Sequence, residues 1–341
     1  MTDQLDPSPI LQLARGFMGS KALLAAVKLG VFDALRDGPL TGEELGKRLK
    51  LHARAIPDFP DSLVALGMLA RQGDGPAARY ANTPEGAAFL MRSSERWIGG
   101  IIEMFNDRLY PFWGDLEEGL RTGRPQNELK RTGTSMFEEL YSDPARLEQF
   151  IAAMSGISRG NFEALARKFD FKPYATLCDV GGAAAELSCA VAAQHPHIRC
   201  MSFDLPVVEP IARAAIARRG LAGRIETRVG DFFRDPLPKA DAITMGMILH
   251  DWNLEKKRAL IRSVFDALPA GGVFIVVENL IDDARRENAF GLMMSLNMLI
   301  EFGDAFDFTG SDFAGWCREV GFREVEVLPL AGPASAGIAY K

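Results

Sequence analysis

Leu177-Cys178-Asp179-Val180-Gly181-Gly182 is an apolar run that breaks on paired glycines, with an acid set just before the break. It reads as a buried strand entering a tight turn ahead of a helix, where glycine lets the backbone come close to a ligand. Two acidic echoes follow, Phe203-Asp204-Leu205-Pro206 and Gly230-Asp231-Phe232-Phe233. Asp204 lies 25 residues after Asp179, about one βαβ unit, and Asp231 lies 27 residues after Asp204. An acid at the end of the second strand can accept hydrogen bonds from both hydroxyls of a ribose. The third strand would end beside an adenine. Together the three strand ends describe an adenosine site.

Outward from this stretch the pattern alternates. Strands are predicted at 175–180, 198–204, 225–230, 242–247 and 272–278, with a closing antiparallel pair between about 324 and 340. This is an α/β chain with a Rossmann-like doubly wound sheet, whose ligands bind at the strand carboxyl ends. Residues from about 10 to 165 read instead as mostly helical. Within them Thr41 and Glu44 form a candidate capping box, a helix is predicted from Ala55 to Leu69, and Ala70-Arg71 and Arg79–Asn82 suggest two strands around a Gly-Pro turn. That is a winged helix. The expected domains are residues 1–95 for a winged-helix dimerisation unit, 96–170 for a helical linker and acceptor lid, and 171–341 for the ligand-binding catalytic unit.

Composition narrows the function. Hydrophobic residues make up 48% of the 341, charged residues 25%, and the formal net charge is −6. An acidic chain is not expected to bind nucleic acid or anionic membrane, and Asp58 and Asp61 on the would-be recognition helix repel a phosphate backbone. The start is polar and acidic, and the apolar stretch 290–300 is too short to span a bilayer, so a cytoplasmic protein is expected. Its four cysteines form no CxxC pair and its four histidines do not cluster with them, so neither a disulfide framework nor a metal site is expected. Phe17, Leu23, Leu24, Val27 and Val31 suggest an apolar surface for a homodimer.

The turn lacks the G-x-G-x-x-G of dinucleotide sites. It resembles the S-adenosylmethionine pocket of class I methyltransferases, D-V-G-G-G-x-G, with Ala183 and Ala185 standing at family glycines. Alanine disfavours the positive φ that glycine adopts freely. Leu249-His250-Asp251-Trp252, placed just after the fourth strand, resembles the L-H-D-W motif of the plant-type and hydroxyindole-type O-methyltransferases. The resemblance covers nearly the whole chain. It implies S-adenosylmethionine as cofactor, a small-molecule acceptor, and His250 as the general base that takes the acceptor's hydroxyl proton.

Glu278 and Asp307 match acidic family positions, and either could orient the imidazole. Phe308 stands where the family has arginine. The resemblance assigns the cofactor to Asp179, Gly181, Gly182, Asp204, Leu205, Asp231, Phe232, Trp252, Met154 and Ser158. Arg108, Tyr110, Tyr141, Met294 and Asn297 are the acceptor candidates, with Met293 and Met298 on the same wall. Two alternatives stay open. One is an S-methyltransferase for a thioether hydroxy acid, similar to the 4-methylthio-2-hydroxybutyrate S-methyltransferases, in which His250 would bind the acceptor. The other is a non-catalytic scaffold that keeps the fold.

Overall fold

The computed structural model describes residues 5–134 and 136–341, which divide into compact units at residues 1–111 and 112–341. The segment expected as a linker is therefore shared between them.

In the first unit, strands β1 (Leu40–Thr41), β2 (Leu69–Gln72) and β3 (Arg79–Asn82) make an antiparallel sheet in the order β1-β3-β2. Thr41 caps the helix Gly42–Leu49 with both halves of the box formed: Glu44 N–H donates to Thr41 Oγ1, and Thr41 N–H to Glu44 Oε2. The predicted helix from Ala55 to Leu69 is shorter, Asp58–Ala65. Pro57 starts it because it lacks an N–H and keeps Ile56 extended, and Gly67 ends it with a φ of +75°. Asp61 accepts from Tyr80 Oη at 2.8 Å and Arg71 at 3.0 Å, so its charge ties the helix to the wing.

The expected single apolar surface is in fact two. Leu24, Val27 and Val31 follow one stripe and are buried. Phe17, 54% exposed, belongs with Ile10, Leu11, Leu13 and Met18 on the outer part of the helix Ser8–Leu29.

The second unit is built on seven strands: β4 (Thr176–Val180), β5 (Arg199–Asp204), β6 (Ile225–Val229), β7 (Ala242–Gly246), β8 (Val273–Glu278), β9 (Glu324–Pro329) and β10 (Ser335–Tyr340). Their order is β6-β5-β4-β7-β8-β10-β9. All pairings are parallel except those of β10, which lies antiparallel between β8 and β9. Every residue of β8 is buried, as a run of Val, Phe and Ile covered on both faces requires.

One core layer joins Leu177, Ile275 and Val277 to Phe162, Leu165 and Leu187 from the helices Pro144–Lys168 and Glu186–Gln194. The other joins Cys178, Ile243 and Phe274 to Leu260, Val264 and Phe313 from the helices Leu254–Ala267 and Gly310–Val320. The order reverses at β4, which pairs with β5 on one side and β7 on the other, and this opens a crevice at the carboxyl ends. All four cysteines are buried and free.

Thr309 caps Gly310–Val320 in a second box with Asp312. Thr309→Ala is expected to lower stability by about 1 kcal/mol, measured as a reduced denaturant midpoint at unchanged slope.

Candidate active site

The glycine turn is packed too closely for side chains. A Cβ on Gly182 would stand 2.4 Å from Ser202 Oγ and 3.1 Å from Asp179 Oδ2. Gly181 has a φ of +71°, and its Cβ would meet Ile248 Cδ1 at 2.4 Å. Phe203, on β5, accepts the N–H of Gly181 at 2.9 Å, which folds the turn over the neighbouring strand. Ala183 and Ala185 take left-handed conformations, φ +47° and +57°, so the chain keeps the turn and accepts the alanine strain.

Asp179 faces inward. Its Oδ1 accepts from Thr244 Oγ1 at 2.8 Å, and burial raises its carboxyl to about 7. It braces β4 against β7. Asp204 receives the N–H of Ala183 on Oδ2 at 2.8 Å and the N–H of Leu205 on Oδ1 at 2.7 Å. Each oxygen keeps a further lone pair, as a ribose-binding acid needs. Asp231 accepts the Phe233 N–H at 2.9 Å, and Phe232 and Phe233 meet Trp252 edge-on at 6.1 and 4.7 Å.

The structure thus gathers the turn, Asp204, Leu205, Asp231, Phe232 and Trp252 at one end of the sheet. Phe233 joins them, although the sequence reading passed over it. Tyr141, expected on the acceptor, packs with Ala183 and Leu205. Burial and the charges of Asp204, Asp251 and Asp231 push its phenol upward, so it stands with the expected cofactor residues instead. Met154 and Ser158 lie half-buried on Pro144–Lys168, the helix packed against Glu186–Gln194.

Strand β7 ends at Gly246, and the chain turns through Met247 (φ +56°) into a short 3-10 segment, Leu249–Asp251. His250 is buried there. Its Nδ1 lies 3.4 Å from Asp307 Oδ1 and its Nε2 lies 3.3 Å from Asp251 Oδ1. Burial favours the neutral ring, but Asp251, Glu278 and Asp307 outweigh it and raise the imidazole to about 10. Burial also lifts Asp251 to about 6 and Glu278 to about 7.

The two expected orienting acids divide the work. Glu278 Oε1 accepts the N–H groups of Ile248 and Leu249 at 3.2 and 3.0 Å, so it holds the loop's backbone rather than the ring. Asp307 is the acid at Nδ1. Donor atoms of His250, Glu278 and Asp307 come within 4.8 Å of one another, compact enough for a cation. A buried ammonium from Lys257, close to the same acids, opposes one electrostatically.

Among the residues expected on the acceptor, Asn297 is buried on the helix Ala289–Phe302 and its Oδ1 accepts from Trp113 Nε1 at 3.0 Å. Met294 is half-buried on that helix, Met298 is buried, and Met293 points outward, 47% exposed. Met293 therefore leaves the expected wall, because its position on the helix faces solvent. Arg108 and Tyr110 belong to the first unit, Arg108 in the π-helical segment Phe105–Leu109 and Tyr110 at the start of the short helix Tyr110–Trp113.

Comparison with known proteins identifies the family. The O-methyltransferase domain family matches residues 113–323, and the O-methyltransferase dimerisation domain family matches residues 11–92. The chain is 36% identical to the tetracenomycin polyketide synthesis 8-O-methyl transferase TcmO of Streptomyces glaucescens, over 98% of this chain and 97% of that one. It is also 36% identical to the N,N-dimethyltransferase OxyT of Streptomyces rimosus, covering 92% and 90%. Among solved structures, human N-acetylserotonin methyltransferase in complex with SAM superposes with a TM-score of 0.91 at 28% identity, covering 100% of this chain and 99% of that one.

Gly182→Ala is expected to cost about 1–3 kcal/mol through overpacking. Ala183→Gly is expected to gain up to about 1 kcal/mol by releasing the left-handed strain. Chemical denaturation of both variants checks the pair, and equal stabilities would refute this account of the turn.

Proposed function

From its membership of the O-methyltransferase family, to which this chain belongs, we propose that the protein methylates a phenolic hydroxyl on a small polycyclic acceptor, with His250 as general base. The enzyme is S-adenosylmethionine-dependent, as the family is, and its relatives are catalytic, so the scaffold alternative falls away. The cofactor supplies an electrophilic methyl group.

The residues at the strand ends fit that cofactor. The glycine turn exposes backbone in place of side chains, Asp204 offers free lone pairs for ribose hydroxyls, and Phe232, Phe233 and Trp252 offer an aromatic edge for adenine.

One observation carries the role of His250: it is buried at the end of β7 with an acid at each ring nitrogen. In the proposed mechanism Asp307, 3.4 Å from Nδ1, would fix the tautomer by closing to hydrogen-bond distance when the acceptor binds. Nε2, which also faces Asp251, is then the nitrogen that would receive the acceptor's proton. Glu278 keeps the loop in place through two backbone N–H groups. Trp113, Asn297, Met294 and Met298 would form a flat, largely apolar wall suited to an aromatic acceptor. The name of TcmO supports a polyketide-derived acceptor and a hydroxyl target, while that of OxyT marks nitrogen as the competing atom. The thioether reading draws no support from either.

We further propose a cytoplasmic homodimer. The buried free thiols support a reducing compartment. The helix Ser8–Leu29 is long and apolar enough by composition to cross a membrane, yet from residue 11 onward it belongs to the matched dimerisation domain. A second copy covering Ile10, Leu13 and Phe17 accounts for that exposed face.

Calorimetry with S-adenosylmethionine, followed by a methyl-transfer screen on phenols, arylamines and thioether hydroxy acids, tests the enzymatic reading. His250→Ala is expected to bind cofactor as wild type does and to lose about 10²–10⁴-fold in transfer to a hydroxyl. Retained transfer would remove His250 as base. Because the imidazole titrates near 10, its basic form grows as pH rises, so wild-type kcat/KM should climb through the alkaline range. The double variant Leu13→Asp, Phe17→Asp should be monomeric by light scattering. A wild type already monomeric at micromolar concentration would overturn the dimer.

A further inference from the structure

Lys257 is fully buried, on the inward face of the helix Leu254–Ala267 beside Leu260, Ile261 and Val264. A lysine is seldom buried without a partner. Its Nζ donates to the carbonyl of Trp252 and, at 2.8 Å, to that of Phe306, and it sits 3.7 Å from the centre of the Phe306 ring. Trp252 is two residues from His250 in the chain, and Phe306 is the residue before Asp307. One ammonium therefore fastens the loop carrying His250 to the segment carrying Asp307. A second tie, from Asn253 Nδ2 to Asp304 Oδ2 at 2.8 Å, runs alongside.

The charges around this point are mostly negative. His250 is faced by Asp251 from its own segment, Glu278 from the end of β8 and Asp307 from the segment 303–309. Glu301, from the helix Ala289–Phe302, and Asp304 act on the same cluster. Against these carboxylates Lys257 is the cation brought in from the neighbouring helix, and its charge acts on Asp251, Glu278 and Asp307.

We propose that Lys257 is a positioning residue for proton transfer, whose buried ammonium fixes His250 against Asp307 and keeps the imidazole able to lose its proton. This rests on the reading of His250 as general base. A positive charge held among the acids that face the ring weakens their hold on the imidazolium. Burial brings Lys257 itself down to about 8, against the pull of Glu278, Asp307, Asp251 and Asp304. Its charge is therefore present below pH 8 and is lost above.

The test compares wild type, Lys257→Met, Lys257→Gln and His250→Ala, each loaded with S-adenosylmethionine, by transfer rate against pH. Both Lys257 variants should transfer about tenfold more slowly than wild type near pH 7, the effect of about one unit on the imidazole. The ratio should close towards one above pH 9, where the wild-type ammonium is discharged. A constant ratio at all pH values would overturn the proposal and leave Lys257 with a structural role. Retained activity in His250→Ala would instead remove the base reading itself.

The wild-type protein offers a check that needs no variant to fold. With only four histidines in the chain, labelled imidazole resonances can be assigned. Besides any movement near pH 6 and 7 from Asp251 and Glu278, the His250 signal should move near pH 8 as Lys257 discharges. Absence of that step near pH 8 would overturn the coupling.

Discussion

The position of β4, hydrogen-bonded in parallel to β5 on one side and β7 on the other, is the constraint from which the site follows. A parallel sheet must be covered on both faces, so its connecting helices leave in opposite directions from this strand. The crevice left between them receives the glycine turn from β4, the acid from β5 and the histidine loop from β7. Asp179 secures the reversal from inside: its carboxylate receives the hydroxyl of Thr244 on β7 while the turn that follows it folds over β5. Bound ligand would thus rest on backbone geometry fixed by the core.

Electrostatics sets the second level. Several carboxylates share a buried region with one imidazole and one ammonium, and each would be costly alone. The groups are not interchangeable. Asp307 addresses the ring, Glu278 addresses backbone N–H groups, and Lys257 joins two chain segments through their carbonyls. The reactivity of His250 is then a property of the set, because its proton affinity reflects charges on its own loop, on β8 and on the segment 303–309.

Much of this was legible in the sequence. The spacing of Asp179, Asp204 and Asp231 marked three strand ends, and Leu249-His250-Asp251-Trp252 fell where the fourth strand had to stop. Thr41 and Glu44 announced their helix because capping is local. What escaped depends on partners distant in the chain. Nothing near Glu278 or Asp307 says which will meet the ring, since that is decided by how the loop after β7 settles on β8. Lys257 carried a signal that went unread, a lysine three residues before Leu260 and seven before Val264, on the stripe those residues bury. The helix predicted to Leu69 failed differently: periodicity continued through Pro57 and Gly67, but backbone chemistry did not.

The antiparallel strand β10 follows β9 in the chain yet lies between β9 and β8. As the polypeptide is synthesised, β9 emerges with no neighbour to pair with, and it stays unmatched until the later strand has slid into the gap beside β8. Assembly of this edge therefore waits for the residues of β10. A nascent chain paused within the hairpin would show β8 as a temporary sheet margin, Val-rich and apolar, for a chaperone to shield.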